Sequence, residues 1–85
     1  MAEIVSRHAI KGFADGTILT ATYALHEDGT LTRQVTSVNG VPQANKPTVF
    51  RTLNEKERRV NLADGISAIG FLEGAISADG WTVPR

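Results

Sequence analysis

One segment near the C-terminal end constrains the fold more than any other part of this chain. Between residues 65 and 78 the only charged residue is Glu73. On a wheel of 3.6 residues per turn, large apolar side chains form one ridge, and smaller ones widen it to more than half of the circumference. The ridge consists of Leu62, Ile66, Ile69, Leu72 and Ile76, and the widening residues are Ala68, Phe71 and Ala75. The pattern predicts a helix that is buried on most of its sides.

The ends of this helix and its glycines carry further information. Asp64 can cap the first turn, and Gly80 can end the helix in the left-handed conformation that glycine accepts. What remains of the circumference is a narrow strip of small residues. The strip consists of Ala63, Ser67, Gly70, Gly74 and Ser77. Because each interior glycine costs about 1 kcal/mol relative to alanine, we expect close approach of another backbone; alternatively, the glycines divide the segment into two short strands.

A β-hairpin between residues 17 and 39 is the clearest pattern upstream. Apolar residues alternate with threonine along its first strand, which is typical of a half-buried strand. A two-residue turn at Asp28-Gly29 would place apolar residues opposite threonines, whereas a three-residue turn over 27–29 pairs apolar residues with each other. Those pairs are Leu25 with Leu31 and Ala21 with Val35. Since a one-residue slip moves every side chain to the other face, we predict the three-residue turn, with Gly29 in the left-handed region.

The segment from residue 54 to 62 allows two interpretations. Residues 54–57 are either a turn into a strand over 58–62 or the start of a helix. Thr52 and Glu55 have the spacing of a capping box, which favours the helix. Apolar and basic residues alternate on both sides of 54–57, as they would in paired strands. We predict the hairpin on this alternation.

Together these elements predict one α+β domain over residues 1–85. An antiparallel sheet of four or five strands, which includes residues 3–11 and 48–53, packs on one C-terminal glycine-containing helix. The loop at 41–47 contains prolines that exclude a central strand. The alternative is an all-β small barrel or sandwich, if the glycines break the segment 65–78 into strands.

The apolar surface of the predicted helix exceeds what one small chain can cover. A single sheet covers one side of a helix, and 85 residues leave no second layer. We therefore predict a homodimer, the commonest closed assembly. Its predicted interface consists of Ile66, Ser67, Ile69, Gly70, Gly74 and Ser77. The alternative is that the small strip faces the sheet and the loop at 41–47 covers the rest.

Composition excludes several classes of protein. The chain has no cysteine and two histidines, so it forms no disulfide and a structural zinc site is not expected. Nine basic and nine acidic residues balance, which argues against a dedicated binder of duplex DNA or membrane surfaces. The N-terminal residues lack the pattern of a secretory signal, and residues 65–78 are fewer than the ~20 that span a bilayer. We expect a cytoplasmic protein without metal or cofactor.

Residues that would carry catalysis are scarce. His8 and His26 are isolated histidines with no nucleophile at a recognisable spacing. The Asp-Gly pairs are turn signals, since they lack the alternating ligands of a calcium loop. No phosphate-binding glycine loop or dinucleotide fingerprint is present. We therefore predict that the protein has no catalytic residues and is not an enzyme.

Candidate binding residues are more numerous. A basic cluster surrounds the segment at 54–57, and arginine recognises phosphates and carboxylates through paired hydrogen bonds. The cluster consists of Arg51, Lys56, Arg58 and Arg59. In one register of the first strand, Tyr23 lies between Arg7 and Arg33, where it would stack on a base. Trp81 is a candidate interface anchor, because tryptophan is enriched at binding hot spots, or it caps the core.

These observations predict a small non-catalytic interaction protein of the adaptor or inhibitor type. It would act as a homodimer and bind another macromolecule, a protein, through its surface. One alternative is nucleic-acid or nucleotide binding through the arginine cluster. Another is a structural subunit of a larger homo-oligomeric assembly.

Overall fold

The structure, a computed structural model, describes residues 3–62 and 65–84 and belongs to the α+β class. Five antiparallel strands form one sheet in the order β1-β2-β3-β4, and β5 also pairs with β3. The elements are β1 (Glu3–Gly12), β2 (Ile18–His26), β3 (Thr30–Val38), β4 (Val41–Pro42), β5 (Thr48–Thr52), α1 (Glu55–Asn61) and α2 (Gly65–Ala78). The predicted class and the antiparallel sheet are confirmed, and the two helices contradict the all-β alternative.

The β2–β3 hairpin has the register that the apolar pattern predicts. Its three-residue turn places Leu25 opposite Leu31, and further along the hairpin Ala21 pairs with Val35. Gly29 has a φ of 87°, in the left-handed region where glycine is not strained. Burial of one side of the sheet selects this register, since a one-residue shift of β3 would turn Leu31 to the opposite side from Leu25.

The segment at 54–62 contradicts the predicted second hairpin. Residues 55–61 form α1, and Asn54 caps it by accepting a hydrogen bond from the Glu57 amide, while the Glu57 carboxylate accepts one from the Asn54 amide. The capping box therefore begins at Asn54 rather than at Thr52, which ends β5. Val60, whose alternation favoured a strand, is 59% exposed on the helix surface. These local hydrogen bonds at the helix start outweigh a strand pattern that would have buried little.

The C-terminal helix begins and ends where the sequence predicts. α2 spans residues 65–78, and a Schellman motif ends it: the Trp81 amide donates to the Ile76 carbonyl at 3.1 Å and the Gly80 amide to the Ser77 carbonyl at 3.0 Å. Gly80 has a φ of 84°, as this motif requires. The predicted cap Asp64 and the strip residue Ala63 lie outside the described residues.

The hydrophobic core lies between α2 and one face of the sheet, here called the inner face. Its fully buried side chains come from both layers: Ala9, Ala21, Tyr23, Leu25 and Leu31 from the sheet, and Ala68, Leu72 and Ile76 from α2. In the backbone, α2 lies beside β1 and β2; among the described residues none of its Cα atoms comes within 8 Å of β3 or β5. Part of the inner face therefore has no helix above it.

Two further features complete the fold. The chain after α2 returns to the edge of β1, where Ile10 and Thr82 form an isolated antiparallel bridge with N···O distances of 2.8 and 2.9 Å. Among the described residues, neither helix has the length and apolar character that a bilayer crossing requires.

Candidate functional site

The exposed side of α2 is the most unusual surface of the protein. On a helical wheel it lies opposite Leu72, in the sector that points away from the sheet. We call it the small-residue face; it consists of Ile66, Ser67, Gly70, Gly74, Ser77 and Ala78. All are exposed except Ser67, which is half-buried. No member is charged, and Ile66 is 85% exposed, although the sequence pattern had placed it in the buried ridge.

Among the described residues of their own chain, nothing packs closely enough against the two glycines of this face to require them. A Cβ atom built at Gly70 or Gly74 meets no atom of the described structure within 4 Å, apart from its chain neighbours and the backbone of the same helix. Each glycine nevertheless destabilises the helix by about 1 kcal/mol relative to alanine. The close backbone approach that the sequence predicts is therefore absent inside the described protomer.

Most of the predicted interface residues lie together on this face. Ile66, Gly70, Gly74 and Ser77 are exposed side by side, whereas Ile69 is half-buried at the edge nearer the sheet. Beside them, Glu73 Oε2 lies 3.8 Å from Arg7 Nε of β1. The Glu73 carboxylate therefore points towards the sheet rather than away from it. The contrary expectation, that the strip faces the sheet, is contradicted by the exposure of Gly70, Gly74 and Ser77.

A second surface feature is a cleft on the uncovered part of the inner face. Its floor is the inner face of β3 at Arg33 and Val35, and its wall is the loop before β5. The cleft has a volume of about 450 Å³ and is lined by Arg33, Val35, Asn45, Lys46 and Thr48. A smaller hollow of about 180 Å³ lies nearby, lined by Phe50, Arg51, Ala75, Ala78 and Asp79.

A hydrogen-bonded triad links Arg33 of the cleft to Asp79 of the hollow. Asp79 Oδ2 accepts from the Tyr23 hydroxyl at 2.6 Å and from Arg33 Nη1 at 2.7 Å. Burial raises the pKa of Tyr23 well above its usual range, and the hydrogen bond to Asp79 adds to the shift. The Tyr23 ring is fully buried, in edge contact with Phe50 and Trp81 at centroid distances of 5.5 and 5.8 Å. The triad anchors the end of α2 to the sheet.

The predicted aromatic contacts with a ligand receive no support from this geometry. β1 does place Arg7 opposite Tyr23, and β3 places Arg33 on its other side. However, a fully buried ring presents no face on which a base stacks. Trp81 is also buried, with 6% of its surface exposed, and closes the core beside Tyr23, which leaves it little area for a partner.

The arginine cluster is distributed among ion pairs. Arg51 pairs with Glu57 and lies over the Phe71 ring at 5.0 Å. Arg59 pairs with Glu55 at 3.5 Å, one helical turn away. The stem of Arg58 lies against the β2–β3 turn, since its Cδ would be 2.8 Å from a Cβ placed on Gly29. Lys56 is exposed on α1. Glu55 and Glu57 thus offset much of the positive charge.

The two histidines lie on the outer face of the sheet, opposite α2. His8 Nδ1 is 3.3 Å from the Thr22 hydroxyl, and His26 Nε2 is 2.8 Å from the Thr32 hydroxyl. Within the described residues, no group of three or more histidine and acidic side chains is arranged to hold a metal ion. The outer face is polar and rich in threonine, and no described part of either helix packs on it.

Sequence reasoning missed the cleft. Arg33, Lys46 and Asp79 are far apart in the chain, and the Arg33–Asp79 pair spans 46 positions. The cross-strand position of Arg33 beside Tyr23 was the available signal, but no local pattern links either residue to Asp79.

No family model matches the chain, and neither a curated protein nor a solved structure matches it significantly.

Proposed function

We propose that the protein is a non-catalytic adaptor that forms a homodimer through the small-residue face of α2 and binds another macromolecule with its sheets. The supporting observation is the open space around Gly70 and Gly74 on an exposed, uncharged helix face. Because glycine has no side chain, the backbone of a second helix that crosses there could come into close contact with the backbone of α2. Two-fold symmetry makes the same face serve both copies.

The spacing of the glycines defines the geometry of this dimer. An antiparallel crossing centred between Gly70 and Gly74 places Ile66 of one copy against Ala78 of the other. This contact covers Ile66, the most exposed large apolar side chain among the described residues. Burying such a side chain contributes roughly 1.5–3 kcal/mol, and it occurs twice in a symmetric dimer.

The same geometry explains how a dimer would bridge partners. The small-residue face lies opposite the side of α2 that contacts the sheet, so the layers would follow in the order sheet, helix, helix, sheet. The outer faces of the two sheets then point in opposite directions. Each offers polar side chains such as Gln34 and Thr22 beside the exposed apolar Ile10 and Val49. A mixed surface of this type suits a protein partner that binds by surface complementarity.

Molar mass measured by light scattering over a wide concentration range tests the dimer. We expect the mass to reach a plateau at two chains. The variant Gly70→Leu should stay monomeric and folded, because its side chain enters open space in the protomer but collides with a second helix. Val60→Leu on α1 is the matched control and should dimerise normally.

Other outcomes separate the rival functions. A wild-type mass of one chain at ~1 mM, or a Gly70→Leu variant that dimerises as tightly as wild type, would overturn the proposal. A mass that keeps rising with concentration would indicate a subunit of a larger assembly instead. Nucleic-acid binding through the arginine cluster would appear as oligonucleotide affinity that falls steeply with salt, and the ion pairs of Arg51 and Arg59 argue against it.

A further inference from the structure

The cleft beside β3 exists because α2 is displaced to one side of the sheet. The helix lies beside β1 and β2, so the inner face of β3, the next strand of the sheet, has no helix above it. Arg33 and Val35 project from this uncovered part of β3 into the cleft. Its volume of about 450 Å³ lies within the range of small-molecule sites, which is roughly 300–1,000 Å³.

The wall of the cleft is held in place by hydrogen bonds to β3. Asn45 Nδ2 donates to the Val35 carbonyl at 3.2 Å, and the Asn45 carbonyl accepts from Gln34 Nε2 at 2.7 Å. The Thr48 hydroxyl donates to the Arg33 carbonyl at 3.2 Å. These hydrogen bonds tie the loop to β3 on both sides of Lys46.

Of the residues that the structure describes, two cations and no acidic side chain line the cleft. Arg33 is positioned by its hydrogen bond to Asp79 and by the Phe50 ring, 5.8 Å from its guanidinium carbon. A guanidinium has five N–H donors, and the hydrogen bond to Asp79 uses one of them. The Arg33 side chain is 34% exposed. Lys46 is exposed, and among the described residues it has no ion-pair partner within 4.0 Å.

Asp79 offsets part of the Arg33 charge, since its Oδ2 lies 2.7 Å from Arg33 Nη1, so the unpaired positive charge at the cleft comes from Lys46, and Arg33 contributes its remaining N–H donors. Asp79 lines the neighbouring hollow rather than the cleft. Its Oδ2 accepts the hydrogen bonds from both Tyr23 and Arg33. The carboxylate thus orients the guanidinium from behind, which reduces the entropy that Arg33 loses when it binds an anion.

We propose that this cleft binds the oxyanion group, a carboxylate or a phosphate, of a small molecule. Arg33 and Lys46 supply the charge-assisted hydrogen bonds, and Val35 provides an apolar floor for the uncharged part of the ligand. Both oxyanions accept hydrogen bonds from a guanidinium fork and an ammonium group. The site shares no residue with the small-residue face, so it does not depend on the proposed dimer.

Titrations of ¹⁵N-labelled protein with inorganic phosphate and, separately, with succinate test this site by NMR at constant ionic strength. We expect saturable shifts of the Lys46 and Thr48 amides and of the Arg33 side-chain N–H. The anion that binds more tightly identifies the group that the natural ligand carries. Lys46→Gln should weaken binding by about tenfold, as the loss of one charge-assisted hydrogen bond does.

Two controls make the result decisive. Lys56→Gln removes the same charge from α1, outside the cleft, and should leave the affinity unchanged. Arg33→Lys keeps the charge but loses the fork; it should weaken binding while the Trp81 fluorescence stays that of the folded protein. No saturable shift at ~50 mM of either anion, or equal weakening by Lys46→Gln and Lys56→Gln, would overturn the proposal. Repeating the titration on Gly70→Leu should give the wild-type affinity whatever the oligomeric state.

Discussion

The two helices of this protein are stabilised in different ways. α1 has seven residues, none of them buried, and its ends carry acidic residues in the first turn and basic residues in the last. α2 has fourteen residues with a single charge, and three of its side chains, Ala68, Leu72 and Ile76, lie in the core. Capping and charge placement therefore define α1, whereas burial defines α2. A charged exposed side is ordinary for a helix in water; the uncharged exposed side of α2 needs another explanation.

The largest difference between the helices should appear when a side chain is shortened. Leu72→Ala should lower the free energy of unfolding by about 2–5 kcal/mol, because it leaves a cavity between α2 and the sheet. Val60→Ala on α1 should change it by less than about 0.5 kcal/mol, since Val60 is exposed. Urea unfolding followed by Trp81 fluorescence measures both. Similar losses in the two variants would contradict the distinction.

The anchoring of the end of α2 gives the next effect. Tyr23→Phe should lower the free energy of unfolding by roughly 1.5–3 kcal/mol, because it removes a hydrogen bond to the Asp79 carboxylate. Tyr23 is the only tyrosine, so absorbance near 295 nm follows its ionisation alone. In the folded protein it should ionise well above pH 10, and in urea near 10.

The sign of the corresponding pH dependence follows from this raised pKa. The folded state keeps the proton that the unfolded state loses, so the contribution of Tyr23 is complete below pH ~10. It is lost as the pH rises from there through the pKa of the folded state. The difference in stability between wild type and Tyr23→Phe should therefore shrink above pH 10. Normal ionisation in the folded protein would show that the hydroxyl is not buried against Asp79.

The glycines of α2 should show opposite effects on folding and on association. Gly70→Ala with Gly74→Ala should raise the stability of the monomer by about 1 kcal/mol per site, since each Cβ enters open space. The same double variant should weaken the dimer. Unfolding at low concentration and light scattering at high concentration measure the two effects separately. Ser77→Ala is a control with a smaller expected gain in stability. If the double variant were less stable as a monomer, the face would have to be covered within the protomer itself.

The cap of α1 should contribute less than the core of α2. Asn54→Ala should cost about 1 kcal/mol, because it removes the side chain that accepts from the Glu57 amide. Thr52→Ala, at the position that the sequence pattern had suggested for the cap, should cost less. Chemical denaturation compares the two variants. A larger loss from Thr52→Ala would restore the earlier capping interpretation.

The smallest effect should come from the surface charges of α1. Arg59→Ala removes an ion pair with Glu55 whose side chains are 74% and 89% exposed. Its stability should change by less than about 0.5 kcal/mol, because water screens such pairs. The same denaturation assay measures this change. A loss above 1 kcal/mol would show that α1 depends on its charges more than on its cap.

The accuracy of sequence reasoning also differed between these regions. The β2–β3 register and the bounds of α2 were predictable because each depends on neighbours in the chain: a turn of defined length, or a helical apolar period with a terminal glycine. The segment at 54–62 was not, because its apolar and basic residues satisfied a strand alternation as well as a short helix. The capping hydrogen bonds of Asn54 and Glu57 decided between them.

The sequence by itself determined the β2–β3 hairpin, the bounds of α2, the α+β class and the near-absence of charge on the last helix. Only the tertiary structure decided which side of α2 is covered, since the helix has a ridge of large apolar residues and an uncharged strip of small ones, and the sheet can contact one of them. It also decided that α2 lies over β1 and β2, which opens the cleft at Arg33 and Lys46. The local periodicity of a segment determines which of its faces are suited to burial. Which of those faces is actually buried depends on where segments distant in the chain pack.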